Sequence, residues 1–138
     1  MGFGHFGRML LVKTFIAPSS IHGLGLFAAQ SITHGTPVWK FQPGVDPIFK
    51  KSDLETAPEP WRTYIKRHCY PNPHNENEIM IDGDDCRYMN HSEKPNVDFA
   101  RDPDTGFALR YIAYGQELTC DYTQFAPGWY DLQIRNEI

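Results

Sequence analysis

Two polar blocks set among short apolar runs constrain this chain more than any other feature. They are Arg87-Tyr88-Met89-Asn90-His91-Ser92-Glu93-Lys94-Pro95-Asn96 and Gly115-Gln116-Glu117-Leu118-Thr119-Cys120-Asp121-Tyr122. Asn, His, Ser and Tyr side chains near a core need specific partners, because burying a polar group unpaired costs about 1–3 kcal/mol. Such blocks are poor surface filler, and they read as parts of a built site.

Around them the chain reads as mainly β, in short strands. Leu10 to Ile16 predicts a first strand. A turn at Ala17-Pro18-Ser19-Ser20 leads through Ile21-His22-Gly23 into a second strand ending near Ala29. Further strands are expected at Val38–Phe41, Glu78–Ile81, Val97–Ala100, Phe107–Ile112 and Leu118–Tyr122. Asp102-Pro103-Asp104-Thr105-Gly106 predicts a hairpin, with Pro and Gly supplying the backbone angles. Ile32-Thr33-His34-Gly35 and Ile112-Ala113-Tyr114-Gly115 echo each other as turns in front of strands. One helical insert is expected from about 53 to 69, opened by a capping box at Ser52-Asp53-Leu54-Glu55 and broken at Pro58 and Pro60. Within it Trp61, Tyr64, Ile65 and His68 recur at helical spacing, a stripe expected to face the core. Residues 71–77 read as an exposed loop. With 138 residues, one domain over 10–138 is expected, preceded by a glycine-rich, disordered tail over 1–9.

Charge and cysteine usage narrow the function. A net charge of -4 argues against direct nucleic-acid binding and favours a cationic partner. The longest apolar run near the start, Met9 to Val12, is too short for a signal peptide or membrane span, and Phe6 stands where myristoylation needs Ser or Thr. A soluble intracellular protein is expected, in the cytoplasm or, if the chain is viral, in the host cell. Cys69, Cys86 and Cys120 are odd in number and widely spaced, which indicates reduced thiols and no metal site; His68, Cys69 and His74 form only a weak ligand cluster. Asp82, Asp84 and Asp85 around Gly83 do not match a calcium loop and read as a solvated acidic turn.

The ordered set Gly23-Leu24-Gly25-Leu26-Phe27-Ala28, Asn90-His91-Ser92 with Pro95-Asn96, and Glu117-Leu118-Thr119 with Asp121-Tyr122 resembles the SET domain, the β-clip fold of protein lysine methyltransferases. The likeness covers roughly residues 10 to 130. It implies a pseudoknot-like threading of the Asn90 segment with the strand ending at Tyr122. It also implies S-adenosyl-L-methionine as methyl donor, S-adenosyl-L-homocysteine as product, and no metal. By the same resemblance the turn Gly23, Leu24, Gly25, Leu26 and Phe27 approaches the cofactor, with side chains at the glycines expected to obstruct it. Asn90 and His91 hold the cofactor's amino-acid and adenine portions, a purely structural role being the alternative for each. Arg87 pairs with its carboxylate or, alternatively, with Asp84 or Asp85. Trp129 covers the adenine or closes the core.

Tyr122 is the expected catalytic residue, with Phe41, Tyr70, Phe99, Cys120 and Phe125 as walls of a lysine channel. The substrate implied is a lysine in a basic protein segment, histone, ribosomal or other, drawn by Glu55, Glu59, Glu76, Glu78 and Asp82; these charges also read as a solvated face. A homodimer is left open.

Three departures matter. Glu93 replaces the Cys that many relatives place after Asn-His-Ser, and no Cys follows Cys120, as in compact bacterial and viral members without a C-terminal zinc site; Phe125, Trp129 and Tyr130 would close the lid by packing. Phe41 stands where many relatives have Tyr, which leaves a catalytically silent module that binds peptide or cofactor as the alternative function. Cys120 stands where relatives often carry a ring that limits methyl number, so di- or trimethylation is expected.

Overall fold

Strand β10 (Glu117–Cys120) buries Leu118, Thr119 and Cys120 in succession, on both pleat faces, as only a central strand does. In the computed structural model, which describes residues 9–126, one edge of β10 meets β2 (Leu24–Ala28) antiparallel and then β7 (Asn90–His91) parallel. Its other edge meets β8 (Val97–Asp98), also parallel. With β1 (Thr14–Pro18), β3 (Pro37–Lys40) and β9 (Thr105–Ala108) these make a seven-stranded sheet ordered β1-β2-β10-β8-β9-β3, β7 lying beside β10.

Residues 92–96 join β7 to β8 and therefore cross β10 from one edge to the other. The crossing is pinned by hydrogen bonds. The Ser92 N–H donates to the Cys120 carbonyl at 2.9 Å. Buried Asn96 acts as a substitute strand: its Nδ2 donates to the Glu117 carbonyl at 2.8 Å, and its Oδ1 accepts the Thr119 N–H at 2.8 Å. The two polar blocks meet here, in the fold class that the resemblance implies.

The echoed turns are partners. Ile32 and Ile112, both fully buried, exchange two backbone hydrogen bonds of 2.8 Å, and Gly35 and Gly115 each turn the chain at positive φ, 85° and 88°. The expected hairpin joins β8 to β9, its turn held by Asp102 accepting from the Asp104 N–H and Thr105 Oγ1. Gly106 is not there for its backbone angle. A Cβ on it would lie 2.7 Å from Phe99 Cζ and 2.9 Å from Val97 Cγ1, so its job is to make room for core side chains.

Several boundaries differ from the sequence expectation. The first strand begins at Thr14 rather than Leu10; Leu10 makes only an isolated bridge to Trp39. Residues 1–8 of the expected tail lie outside the described residues, but Met9 belongs to the fold, its carbonyl accepting the Lys40 N–H at 2.8 Å. Two three-residue strands went unforeseen, β4 (Ile48–Lys50) and β5 (Tyr70–Asn72), which flank β6 (Asn75–Met80) in a second sheet. Much of the expected loop 71–77 is thus a β5–β6 hairpin. Pro71 and Asn72 disguise an edge strand, where a missing N–H is tolerated.

The insert splits into α1 (Asp53–Thr56) and α2 (Glu59–His68), separated by extended Ala57 and Pro58, with Pro60 tolerated in the first turn of α2. Ser52 is itself helical and makes no side-chain cap bond, so the capping box does not form. Nor is the stripe on α2 a core face. Trp61 and Tyr64 are exposed, Ile65 packs against the small cluster of Ile79 and Ala126, and His68 is half-buried against Tyr88. The main core gathers Leu26, Val38, Trp39, Val97, Phe99 and Leu118 instead. No helix among the described residues is long and apolar enough to cross a membrane.

Replacing Asn96 by Ala strips two buried backbone groups of β10 of their partners. The expected loss is about 2–4 kcal/mol of unfolding free energy, checked by urea denaturation.

Candidate active site

The glycine turn and the two polar blocks converge on the Glu117 carboxylate. Ser19 Oγ lies 2.9 Å from both of its oxygens, and Asn90 Nδ2 donates to Oε2 at 3.0 Å. Asn90 Nδ2 also lies 3.0 Å from the His22 carbonyl and 3.2 Å from the Leu24 carbonyl, so its two hydrogens are shared among three acceptors. One side chain thereby locks the turn onto β7 and β10. Gly25 permits this: a Cβ there would fall 2.5 Å from Glu117 Oε2. The obstruction expected of that side chain is real, but it falls on Glu117. Gly23 differs, with φ 46° and open space where a Cβ would stand. Neither Ser19 nor Glu117 is foreseen as a site residue in the sequence, although Glu117 stands in the second polar block; the signal available was a small residue, Gly25, facing a half-buried carboxylate across paired strands.

His91 and Tyr122 form the next unit. The Tyr122 N–H donates to His91 Nδ1 at 3.1 Å, the rings are 5.3 Å apart, and Asp121 Oδ1 lies 3.8 Å from the same nitrogen. The Tyr122 hydroxyl donates to the Met89 carbonyl at 2.7 Å. Its single proton is therefore committed to that carbonyl, which fixes the ring and its hydroxyl in place.

That tyrosine lines a cavity of about 60 Å³ together with Tyr70, Phe99, Cys120 and Phe125. Phe125 is the centre of its wall, with rings of Tyr70 at 5.2 Å, Phe99 at 5.3 Å and Tyr122 at 5.9 Å. Apolar walls disfavour charge inside. Desolvation pushes the Cys69 thiol up to about 12, with Asp82 adding to the rise, and holds the Cys86 and Cys120 thiols well above their usual range. All three are held in the neutral thiol form, which disfavours a nucleophilic role. Desolvation likewise raises the Asp82 carboxyl from 3.8 to about 7, against the Tyr70 hydroxyl that donates to it at 2.8 Å. Asp82 is thus a cavity residue and not part of a solvated acidic turn. Asp84 is not solvated either, since its oxygens accept the Leu10 and Cys86 N–H groups.

Arg87 lines the cavity and stacks on Tyr88, 5.0 Å from the ring centre, instead of bridging to Asp84. His68, also on the lining, is shifted down by desolvation and by Arg87 and Arg67. Of the acidic residues expected to draw substrate, Glu59 is taken up by Arg62 at 3.2 Å and Glu78 accepts from Asn72, while Glu55 and Glu76 remain exposed.

Not every candidate reaches the site. Leu26 is wholly buried in the core and its backbone is paired on both sides, to Ile16 and Leu118, so it has nothing to offer a ligand. Phe27 is likewise paired to Phe15 and Glu117, and its ring stacks on Phe15 at 5.5 Å. Phe41 packs against the core and is absent from the cavity lining, so it is not a channel wall. Trp129 and Tyr130 lie outside the described residues. No group of three or more His, Cys, Asp or Glu that could hold a metal occurs among the described residues.

Comparison with known proteins agrees with this architecture. The chain is 31% identical over 123 residues, 80% of its length, to "Putative histone-lysine N-methyltransferase 1" of Plasmodium falciparum (isolate 3D7), of which it spans only 2%. Its fold is similar to that of chains in the humanized mutant of the Chaetomium thermophilum Polycomb Repressive Complex 2 bound to the inhibitor GSK126, with TM-score 0.61 and 20% identity. The same complex bound to GSK343 gives TM-score 0.62 and 18% identity. These alignments cover 87% and 89% of this chain and 16% of the larger ones. The SET domain model itself matches residues 23–123, from the glycine turn through Tyr122, and the chain therefore belongs to the SET-domain family.

Proposed function

We propose that the protein is an S-adenosyl-L-methionine-dependent protein lysine N-methyltransferase, a single domain over residues 10–138 acting on a basic protein segment. The observation that carries this reading is the Tyr122 hydroxyl, fixed by the Met89 carbonyl on the wall of a narrow aromatic cavity.

The residues present suit the methyl donor. Gly23 offers bare backbone beside Leu24, which is 48% exposed. Asn90, its amide hydrogens all engaged, has only Oδ1 left, an acceptor suited to the ammonium of an amino acid. Arg87 would meet the carboxylate, backbone groups of Asn90 and His91 the adenine, and Trp129 is retained as the ring over it. When bound, the cofactor supplies an electrophilic methyl group on sulfur. This chain's own work is alignment and dehydration. A lysine of reference pKa ~10.4 costs roughly 4–5 kcal/mol to present neutral at pH 7, and a cavity that suppresses thiolates disfavours ammonium by the same desolvation. Tyr122, its hydroxyl fixed by the Met89 carbonyl, would line the channel and orient the amine. His91, through Nδ1, holds the Tyr122 backbone in place.

Cys120, buried on the same wall, leaves space where a ring would stand, so the reading extends to di- or trimethylation. The silent-module alternative rests chiefly on Phe41, whose missing hydroxyl falls outside the cavity lining.

With labelled S-adenosyl-L-methionine and a pool of basic proteins, the wild type is expected to transfer methyl. Tyr122→Phe should lose roughly a hundredfold in rate with cofactor affinity unchanged. Cofactor binding without transfer by the wild type would sink the enzyme in favour of the module. Cys120→Phe should shift the product toward monomethyl-lysine by mass spectrometry; a wild type that makes only monomethyl product at saturating cofactor rejects the wider channel.

A further inference from the structure

The substrate lysine reaches a cavity as ammonium, and its extra proton has to go somewhere. Tyr122 cannot take it without giving up its bond to Met89. Asp82 is the one carboxyl on the cavity lining among the described residues, and the Tyr70 hydroxyl, on the same lining, donates to its Oδ1 at 2.8 Å. Resting on the methyltransferase reading, we propose that Asp82 is the proton acceptor for the substrate ammonium, reached through the Tyr70 hydroxyl. In this step an ammonium N–H bond breaks and its proton passes to the Tyr70 oxygen. The proton that Tyr70 held passes to Asp82 Oδ1. A neutral amine, an unchanged phenol and a neutral carboxylic acid result, and Asp82 then releases its proton to solvent.

Geometry and environment agree. Desolvation places the Asp82 carboxyl at about 7, poised to exchange a proton near neutrality, whereas Tyr70 is held well above its ordinary value and stays a neutral relay. The groups acting on Asp82 are the Tyr70 phenol, the Asp46 and Asp84 carboxyls and the Cys86 thiol, and Asp82 in turn raises the Cys69 and Cys120 thiols that face it. Arg67, His68 and Arg87 form the cationic part of the lining. His68 is the rival base. Its ring, however, packs on Tyr64 at 4.8 Å and Tyr88 at 6.0 Å, and no hydrogen bond links it to Tyr70 or Tyr122.

The test is methyl transfer to a lysine peptide across pH by wild type, Asp82→Asn, Tyr70→Phe and His68→Asn. Near neutral pH, Asp82→Asn and Tyr70→Phe should be slower by roughly a hundredfold, and the deficit should close toward pH ~10 as the peptide lysine loses its own proton. His68→Asn should keep the wild-type profile. A deficit in Asp82→Asn that is the same at every pH, or a pH profile shared with wild type, overturns the role of Asp82; a limb lost in His68→Asn assigns it to His68. Absence of any transfer by the wild type overturns the function itself and is distinguishable, because a second readout needs no cofactor. A folded pKa raised from 3.8 to about 7 means that wild-type stability is lost as pH rises between those values. The thermal midpoint of Asp82→Asn should therefore gain on that of the wild type from about pH 4 to about pH 7 and hold a constant lead above that. A difference constant across that range removes the titrating carboxyl and the proposal with it.

Discussion

The grip on β10 is the constraint on which the rest depends. A four-residue strand is short for a sheet centre, and β10 compensates by being held from every side: β2 and β7 on one edge, β8 on the other, and the Asn96 amide supplying ladder bonds where the chain crosses over. The same strand begins at Glu117, which ties down the glycine turn, and runs out two residues before Tyr122. The Glu117 cluster and the Tyr122 cavity are thus spaced by one rigid element. A shift of β10 by one residue would exchange the faces of Leu118 and Thr119 and unseat both groups together.

What was legible in the sequence follows from this. Polar residues placed where a core should be, Asn90, Asn96 and Glu117, betray themselves because burial demands partners, and the partners lie in the other block. The echo of Ile32-Thr33-His34-Gly35 in Ile112-Ala113-Tyr114-Gly115 was visible too, though its meaning, two turns bridged to each other, was not. The second sheet was not legible. β5 and β6 carry Asn, Pro and Glu, and their stability comes from each other and from β4 rather than from any local preference. The α2 stripe misled for the opposite reason: helical spacing reports a periodic face, but nothing in it says what that face meets, and Trp61 and Tyr64 stay exposed. Asp82 was misread because an acidic cluster looks solvated until β6 is seen to carry the chain into the cavity wall.

One physical cause then runs through the cavity. Every ionisable acid on its wall for which a shift is found, Cys69, Cys86, Cys120, Tyr70 and Asp82, is pushed toward its neutral form chiefly by desolvation, and the basic His68 is pushed the same way. Arg87 on the same lining goes the other way, held in its charged form by Tyr88 and its neighbours, but a wall that favours neutral groups at these six positions suits a reaction whose nucleophile must be neutral. It also means that no strong base is available, and a carboxyl raised toward neutrality is the mildest acceptor compatible with such walls.

The room beside Tyr122 is likewise a property of layers behind it. Cys120 is small, but Phe99 also lines the cavity, and Phe99 is placed by its neighbours: Trp39 at 5.9 Å, Phe125 at 5.3 Å, and the bare face of Gly106. Because a Cβ at Gly106 would lie 2.7 Å from Phe99 Cζ, any side chain there would drive the ring off β9. Trp39 is buried and cannot yield, so the ring would move toward Phe125 and the cavity. The width of the cavity is therefore set jointly by a missing ring at Cys120 and a missing methyl at Gly106, the latter a residue of β9 that looks, in sequence, like nothing more than the end of a turn.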